Sequence, residues 1–124
     1  MNVGTENIVD AYGCTRELLR DIGCIQFVCQ TIIEDLSLTI VGSPQWYQFP
    51  DPFGVTGMYL LSESHLTCHT FPEFGTATFN LYCCRKQPDW AWEIELKIRL
   101  GAEYVDVRTI QRAARVEGCV HEAP

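Results

Sequence analysis

Residues 54–84 read GVTGMYLLSESHLTCHTFPEFGTATFNLYCC. Residues 55–61 form a β-branched and apolar run, and residues 65–71 form a second run after the short polar connection Ser62-Glu63-Ser64. Pro72-Glu73-Phe74-Gly75 then punctuates the chain before a third run over residues 76–84. Extended runs separated by such short turns predict antiparallel neighbours in one sheet. Side chains alternate along a strand, so His65, Thr67 and His69 share one face and Leu66, Cys68 and Thr70 the other. Gly57, inside the first run, marks a bulge or a close backbone approach. A serine hydroxyl, two histidines, thiols and carboxylates are thus concentrated in a segment whose remaining residues pack as strands.

On the N-terminal side, residues 7–12 read as a strand and Cys14-Thr15 as a helix cap with Glu17 in the first turn. Apolar residues at 18, 22, 25, 28, 32 and 36 make one helical stripe. Gly23 predicts a break there, with the main helix over residues 24–35. Residues 38–41 read as a strand running towards Phe49, and the Pro50-Asp51-Pro52-Phe53-Gly54 cluster as a loop. On the C-terminal side, residues 90–100 (WAWEIELKIRL) carry two conflicting patterns. Alternation of apolar and charged residues suggests a strand, whereas Glu93–Lys97 and Glu95–Arg99 are helical i,i+4 pairs and Trp92, Leu96 and Leu100 form a helical stripe. Asp89 as a cap and Gly101 as a stop favour helix. Residues 104–110 alternate as a last strand, and the polar tail 117–124 reads as frayed. The order β-α-β-β-β-β-α-β predicts one α+β domain over residues 1–124, a two-layer sandwich with a mostly antiparallel sheet and two main helices on one face. The uncovered face of such a sheet predicts a homodimer.

The chain has 124 residues, 47% of them hydrophobic and 20% charged, which suits one packed core. Its formal net charge of −7 opposes phosphate backbones and argues against nucleic acid as a partner. No apolar run is long enough to span a membrane and no secretory leader is evident, so the expected location is cytoplasmic. Seven cysteines, an odd number, fit reduced thiols better than a disulfide framework. No paired C-x-x-C spacing supports a metal site, and Cys24 and Cys29 lie on the apolar helical stretch as core residues.

A serine next to a strained peptide bond can attack the preceding carbonyl and exchange the amide for an ester. A base such as His69 can then remove the serine Cα proton and eliminate the ester. From the residues alone, a polar hairpin with a surface Ser–His pair remains the alternative. A thiol-based redox or metal protein, resting on the cysteine count and the vicinal Cys83-Cys84, is another.

The runs Ser62-Glu63-Ser64-His65-Leu66-Thr67 and His69-Thr70-Phe71-Pro72-Glu73 resemble the self-cleavage motif of the small prokaryotic S-adenosylmethionine decarboxylases. The likeness covers roughly residues 4–110 and is densest over 54–84. It implies a cut between Glu63 and Ser64 into chains 1–63 and 64–124, with Ser64 becoming a covalent pyruvoyl cofactor that forms a Schiff base with the substrate amine. By the same likeness His69 is the processing base, Cys84 the proton donor in turnover, and Thr56, where the family usually has serine, a processing aid. Glu73, Phe49, Phe53 and His65 fall at substrate-lining positions. Asp10 stands at the acidic position of the first strand, and departures from the pattern lie in that lining: Glu6 stands for a histidine and Asn80 replaces an aspartate. The resemblance implies an amino-acid-type small-molecule substrate. S-adenosylmethionine, feeding spermidine synthesis, leads; arginine or ornithine is the alternative, with Glu6 available to a guanidinium or ammonium group. A non-catalytic regulatory paralogue is the third reading.

Overall fold

The computed structural model describes residues 3–114. Six strands form one antiparallel sheet: β1 (Gly4–Tyr12), β2 (Gln45–Gln48), β3 (Val55–Leu61), β4 (Ser64–Phe71), β5 (Thr76–Cys83) and β6 (Tyr104–Arg112). Their spatial order is β2-β3-β4-β5-β1-β6, so β1 is inserted between the last two strands of the chain. Three helices, α1 (Arg16–Leu19), α2 (Ile22–Asp35) and α3 (Trp92–Leu100), complete the predicted α+β layers. The register β3–β4–β5 follows the hairpins read from the sequence, with Leu61 opposite Ser64 and Phe71 opposite Thr76.

The core lies between the helices and one sheet face. Leu66 and Cys68 of β4, Ala77, Phe79 and Leu81 of β5, and Val9 and Ala11 of β1 meet Ile25, Val28, Cys29 and Ile32 of α2 and Leu96 and Leu100 of α3. Cys29 and Cys68 touch across this layer, Sγ to Sγ at 3.7 Å, as reduced core thiols. Buried Thr70 is satisfied on both sides: it accepts from Val55 N at 2.9 Å and donates to the Leu19 carbonyl at 2.7 Å. Polar groups taken out of water need such partners.

Helix α3 resolves the conflict in residues 90–100. Trp92, Leu96 and Leu100 are buried, Ile94 and Ile98 face solvent, and both predicted ion pairs form, at 3.1 and 2.9 Å. Gly101 ends the helix at φ 69°, a conformation in which an L side chain would be strained. The expected Asp89 cap does not form; Ala91 occupies the N-cap position. Instead Trp90 Nε1 donates to Asp35 at 2.9 Å and ties this connection to the end of α2.

Three other expectations are corrected. The helical stripe is interrupted at Arg20-Asp21 rather than at Gly23, because the Asp21 side chain accepts from Cys24 N and caps α2. Thr15 stands at the N-cap of α1 but makes no side-chain cap bond. Residues 38–41 do not form a strand: only Ile40 bridges Leu61, and the edge strand is β2. The Gly42 turn and a short, mostly exposed β2 replace one continuous run. The frayed-tail reading of residues 117–124 lies outside the described residues.

Gly57 is a close approach rather than a bulge. A Cβ placed there would lie 2.5 Å from the ring of Trp46 on β2. Gly57→Ala should therefore displace Trp46 and cost about 1–3 kcal/mol, read as a lowered midpoint of thermal unfolding; an unchanged midpoint would show that Trp46 yields freely.

Opposite the helices, the sheet exposes Met58 at 55% and Leu60 at 62%, together with Tyr47, Tyr104 and Ile110. Among the described residues no helix is long and apolar enough to cross a membrane.

Candidate active site

Ser64 opens β4 immediately after the two-residue turn Ser62-Glu63, opposite Leu61 on one side and Cys83 on the other. Its φ is 146°, a region that non-glycine residues rarely adopt, at a cost of about 1–3 kcal/mol. The surrounding ladder holds it there. The carbonyl of Glu63 accepts a hydrogen bond from Cys84 N at 2.8 Å, and Ser62 N donates to the Thr39 carbonyl at 2.9 Å. The Glu63–Ser64 peptide bond therefore sits between strand β5 and the segment around Thr39. A backbone N–H aimed at its carbonyl oxygen is the type of donor that stabilises an oxyanion.

The Ser64 hydroxyl lies 3.1 Å from His65 Nδ1. His65 points to the open sheet face and packs against Tyr82, with ring centroids 5.6 Å apart. Cys84 lies just beyond the end of β5, one residue later than the strand itself reaches, and its side chain is exposed. It lines a cavity of about 350 Å³ with Gly4, Thr5, Arg85, Lys86 and Gln111. Cys83 is turned into the core, and its burial pushes its thiol up to about 11. Of the vicinal pair, Cys84 alone is presented for chemistry.

A second cluster surrounds His69. Its Nδ1 is 2.5 Å from Thr56 Oγ1, its cross-strand neighbour. In the tautomer that carries its proton on Nδ1, this nitrogen donates to the hydroxyl and Nε2 is the basic nitrogen. The ring packs on Phe71 at 4.2 Å and Phe49 at 5.4 Å. Burial in this apolar surround lowers its pKa below the ordinary 6.5, partly countered by the Glu73 carboxylate, so the imidazole is neutral at pH 7. Phe49, Phe71, Glu73 and His69 line a shared cavity of about 360 Å³. Phe53, in the neighbouring loop, is outside that lining; its carbonyl accepts from Gln48 Nε2 at 3.3 Å.

The two clusters do not meet within one chain. Ser64 and His69 stand five residues apart on β4, about 16 Å at the rise of a strand. The sequence placed His69 on the face of His65, which is correct, but that face carries it to the far end of the strand. Glu6, a candidate substrate carboxylate, already has partners within the chain. One oxygen accepts from Arg112 at 2.8 Å and the other from Asn80 at 3.3 Å. Asp10 pairs with Arg108 at 3.5 Å, in the sheet row of His69. Sequence reasoning missed the Thr39 segment, whose role depends on backbone groups that no motif records. Among the described residues no group of three or more His, Cys, Asp or Glu could hold a metal ion.

The S-adenosylmethionine decarboxylase family model matches residues 5–113, nearly all of the described fold. The chain belongs to the S-adenosylmethionine decarboxylase family. Its relatives include the S-adenosylmethionine decarboxylase proenzyme of Picrophilus torridus, 35% identical over 93% of this chain and 88% of that one. The proenzyme of the same name from Thermotoga maritima is 36% identical over 86% of this chain and 81% of its own. A crystal structure of the adenosylmethionine decarboxylase from Aquifex aeolicus shares the fold with a TM-score of 0.77 at 28% identity, covering 97% of this chain and 98% of that one. Membership makes the chain an enzyme of the decarboxylase class and agrees with the six-stranded α+β architecture.

Proposed function

We propose that the chain is a proenzyme that cuts itself between Glu63 and Ser64, converts Ser64 into a pyruvoyl group and decarboxylates S-adenosylmethionine, supplying an aminopropyl donor for polyamine synthesis. The observation that carries this reading is the scissile carbonyl held on Cys84 N–H beside a serine at positive φ. Ser64 Oγ attacks the Glu63 carbonyl carbon, and the C–N bond breaks as the hydroxyl proton passes to the Ser64 nitrogen, leaving an ester. A neutral imidazole then takes the Ser64 Cα proton, the Cα–Cβ double bond forms, the Cβ–Oγ bond breaks, and the main-chain carboxylate of Glu63 departs. Hydrolysis of the resulting enamine releases ammonia and leaves the ketone of residue 64. A pyruvoyl group supplies an electrophilic carbonyl for a substrate amine and a sink for the electrons left by carbon dioxide. The half-buried start of β4, with Cys84 beside it, suits such a group.

Because His69 and Ser64 are remote within one chain, the base for this step comes from a second copy. In a homodimer joined through the open sheet faces, Thr56 and His69 of one subunit meet Ser64 and Cys84 of the other. The exposed apolar residues of that face support this arrangement. Phe49, Phe71 and Glu73 arrive with His69 and form an aromatic and acidic wall suited to an adenine ring and a cationic sulfonium. Engagement of Glu6 by Arg112 and Asn80 leaves it poorly placed for a guanidinium, which favours S-adenosylmethionine over arginine or ornithine.

A denaturing intact-mass spectrum of the purified protein tests the proposal. It should show chains 1–63 and 64–124, the latter with a blocked, ketone-bearing terminus, and carbon dioxide should be released from S-adenosylmethionine rather than from arginine or ornithine. One uncut, inactive chain would sink the reading. Cys84→Ala should still be cut, since the substitution keeps the backbone N–H, but should lose about 100-fold or more in turnover as a proton donor is removed. Full turnover would place the donor elsewhere. Cleavage should depend on neutral His69. Its rate should rise with pH through an apparent pKa below 6.5 and be flat from pH 7 to 8. A rise continuing through pH 8 to 9 would instead implicate a thiol.

A further inference from the structure

Among the described residues Glu63 is one of two buried polar residues, only 7% exposed, and the chemistry above uses its carbonyl alone. Its side chain has a fixed partner of its own: Thr39 N donates to Oε1 at 3.0 Å. This hydrogen bond holds the carboxyl below its usual range, so the group is ionised at neutral pH. Thr39 also accepts from Ser62 N at 2.9 Å, so Thr39 grips Ser62 and Glu63 through its carbonyl and its N–H respectively. On the opposite side the Glu63 carbonyl is held by Cys84 N. Glu63 is thus held both by its side chain and by the carbonyl of the bond that is to be cut.

We propose that Glu63 is a positioning residue for self-cleavage. Its carboxylate, anchored on Thr39 N–H, holds the Glu63 carbonyl against Cys84 N–H and keeps Ser64 at positive φ for attack. The inference rests on the reading that the chain cuts at Glu63–Ser64. The effect falls on the first step, exchange of amide for ester, and not on the later elimination. A buried carboxylate that merely filled space would show no such selectivity.

The test follows cleavage with time by intact mass in freshly translated full-length chains, with and without hydroxylamine, which splits esters but not amides. Wild type and Ser64→Ala bracket the assay: an uncut wild type, or a cut Ser64→Ala, refutes the underlying reading and not only this inference. Glu63→Ala should be at least about tenfold slower and should gain nothing from hydroxylamine, because no ester accumulates. His69→Ala, blocked at elimination, should be split by it. Glu63→Gln keeps an acceptor oxygen for Thr39 N–H and should recover to within about fivefold of wild type. Wild-type cleavage of Glu63→Ala, hydroxylamine-dependent splitting of it, or a Glu63→Gln as slow as Glu63→Ala would each overturn the proposal. If Glu63→Ala does not fold, Glu63→Asp decides. It retains the charge but is one methylene too short, so slow cleavage is expected and a wild-type rate would overturn the inference.

Discussion

Ser64→Ala protein is expected to stay one chain of about the full 14.1 kDa, however long it is incubated, while wild type separates into two chains under denaturing conditions. The effect should be complete rather than partial. Alanine removes the only atom placed to exchange the amide for an ester, and no neighbouring hydroxyl is attached to the same Cα. The fold should survive, because Ser64 is only half-buried and, among the described residues, its hydroxyl bonds to His65 alone. Circular dichroism and thermal unfolding would confirm that the uncut chain is folded. A cut Ser64→Ala chain would remove Ser64 from the nucleophile's place and, with it, the assignment of the pyruvoyl group.

The second large effect is complementation between two inactive chains. His69→Ala retains Ser64 but lacks the base; Ser64→Ala retains Thr56 and His69 but lacks the nucleophile. Neither should cleave alone. Co-expressed in equal amounts, they should form mixed dimers in which the Ser64→Ala subunit offers its His69 to the Ser64 of its partner. With random pairing, about half of the His69→Ala chains enter such dimers and should be cut. Tags of different mass on the two chains make the measurement unambiguous. If His69 served its own chain, co-expression would produce no cleavage at all. The prediction follows from the separation of about 16 Å along β4 and from the exposed apolar face of the sheet.

Much of this architecture was legible in residues 54–84. Two short turns between alternating runs specified β3, β4 and β5 and their register, since a slip of one residue would bury His65 and His69 and expose Leu66 and Cys68. The ion pairs of α3 overrode its strand-like alternation because i,i+4 spacing has a meaning only on a helix. The chemistry-bearing residues were visible one at a time, but their grouping was not. Face alternation put His69 on the face of His65, the neighbour of Ser64, but it does not say how far along a strand two side chains stand. Residues 38–41 have the composition of a strand, yet their value lies in Thr39, whose backbone groups serve Ser62 and Glu63. Likewise, Glu6 reads as a vacant carboxylate until Arg112, more than a hundred residues away, is brought beside it by the β1–β6 ladder.

If the chain is cut as proposed, the sheet order has a consequence for the product. Strands β1, β2 and β3 precede the Glu63–Ser64 bond and β4, β5 and β6 follow it, yet β1 is paired on both sides with strands of the second fragment. The fragments are therefore interlaced rather than laid side by side. Severing the bond leaves three ladders crossing between them, β3–β4, β5–β1 and β1–β6. Either piece alone would carry bare strand edges. Within each subunit the folding of one chain becomes the assembly of two, so the mature protein's resistance to unfolding should depend on concentration more steeply than that of the uncut dimer. Once unravelled, the cut protein would have to find its other half, and maturation would thus convert a chain that can refold by itself into an assembly that holds its shape by remaining together.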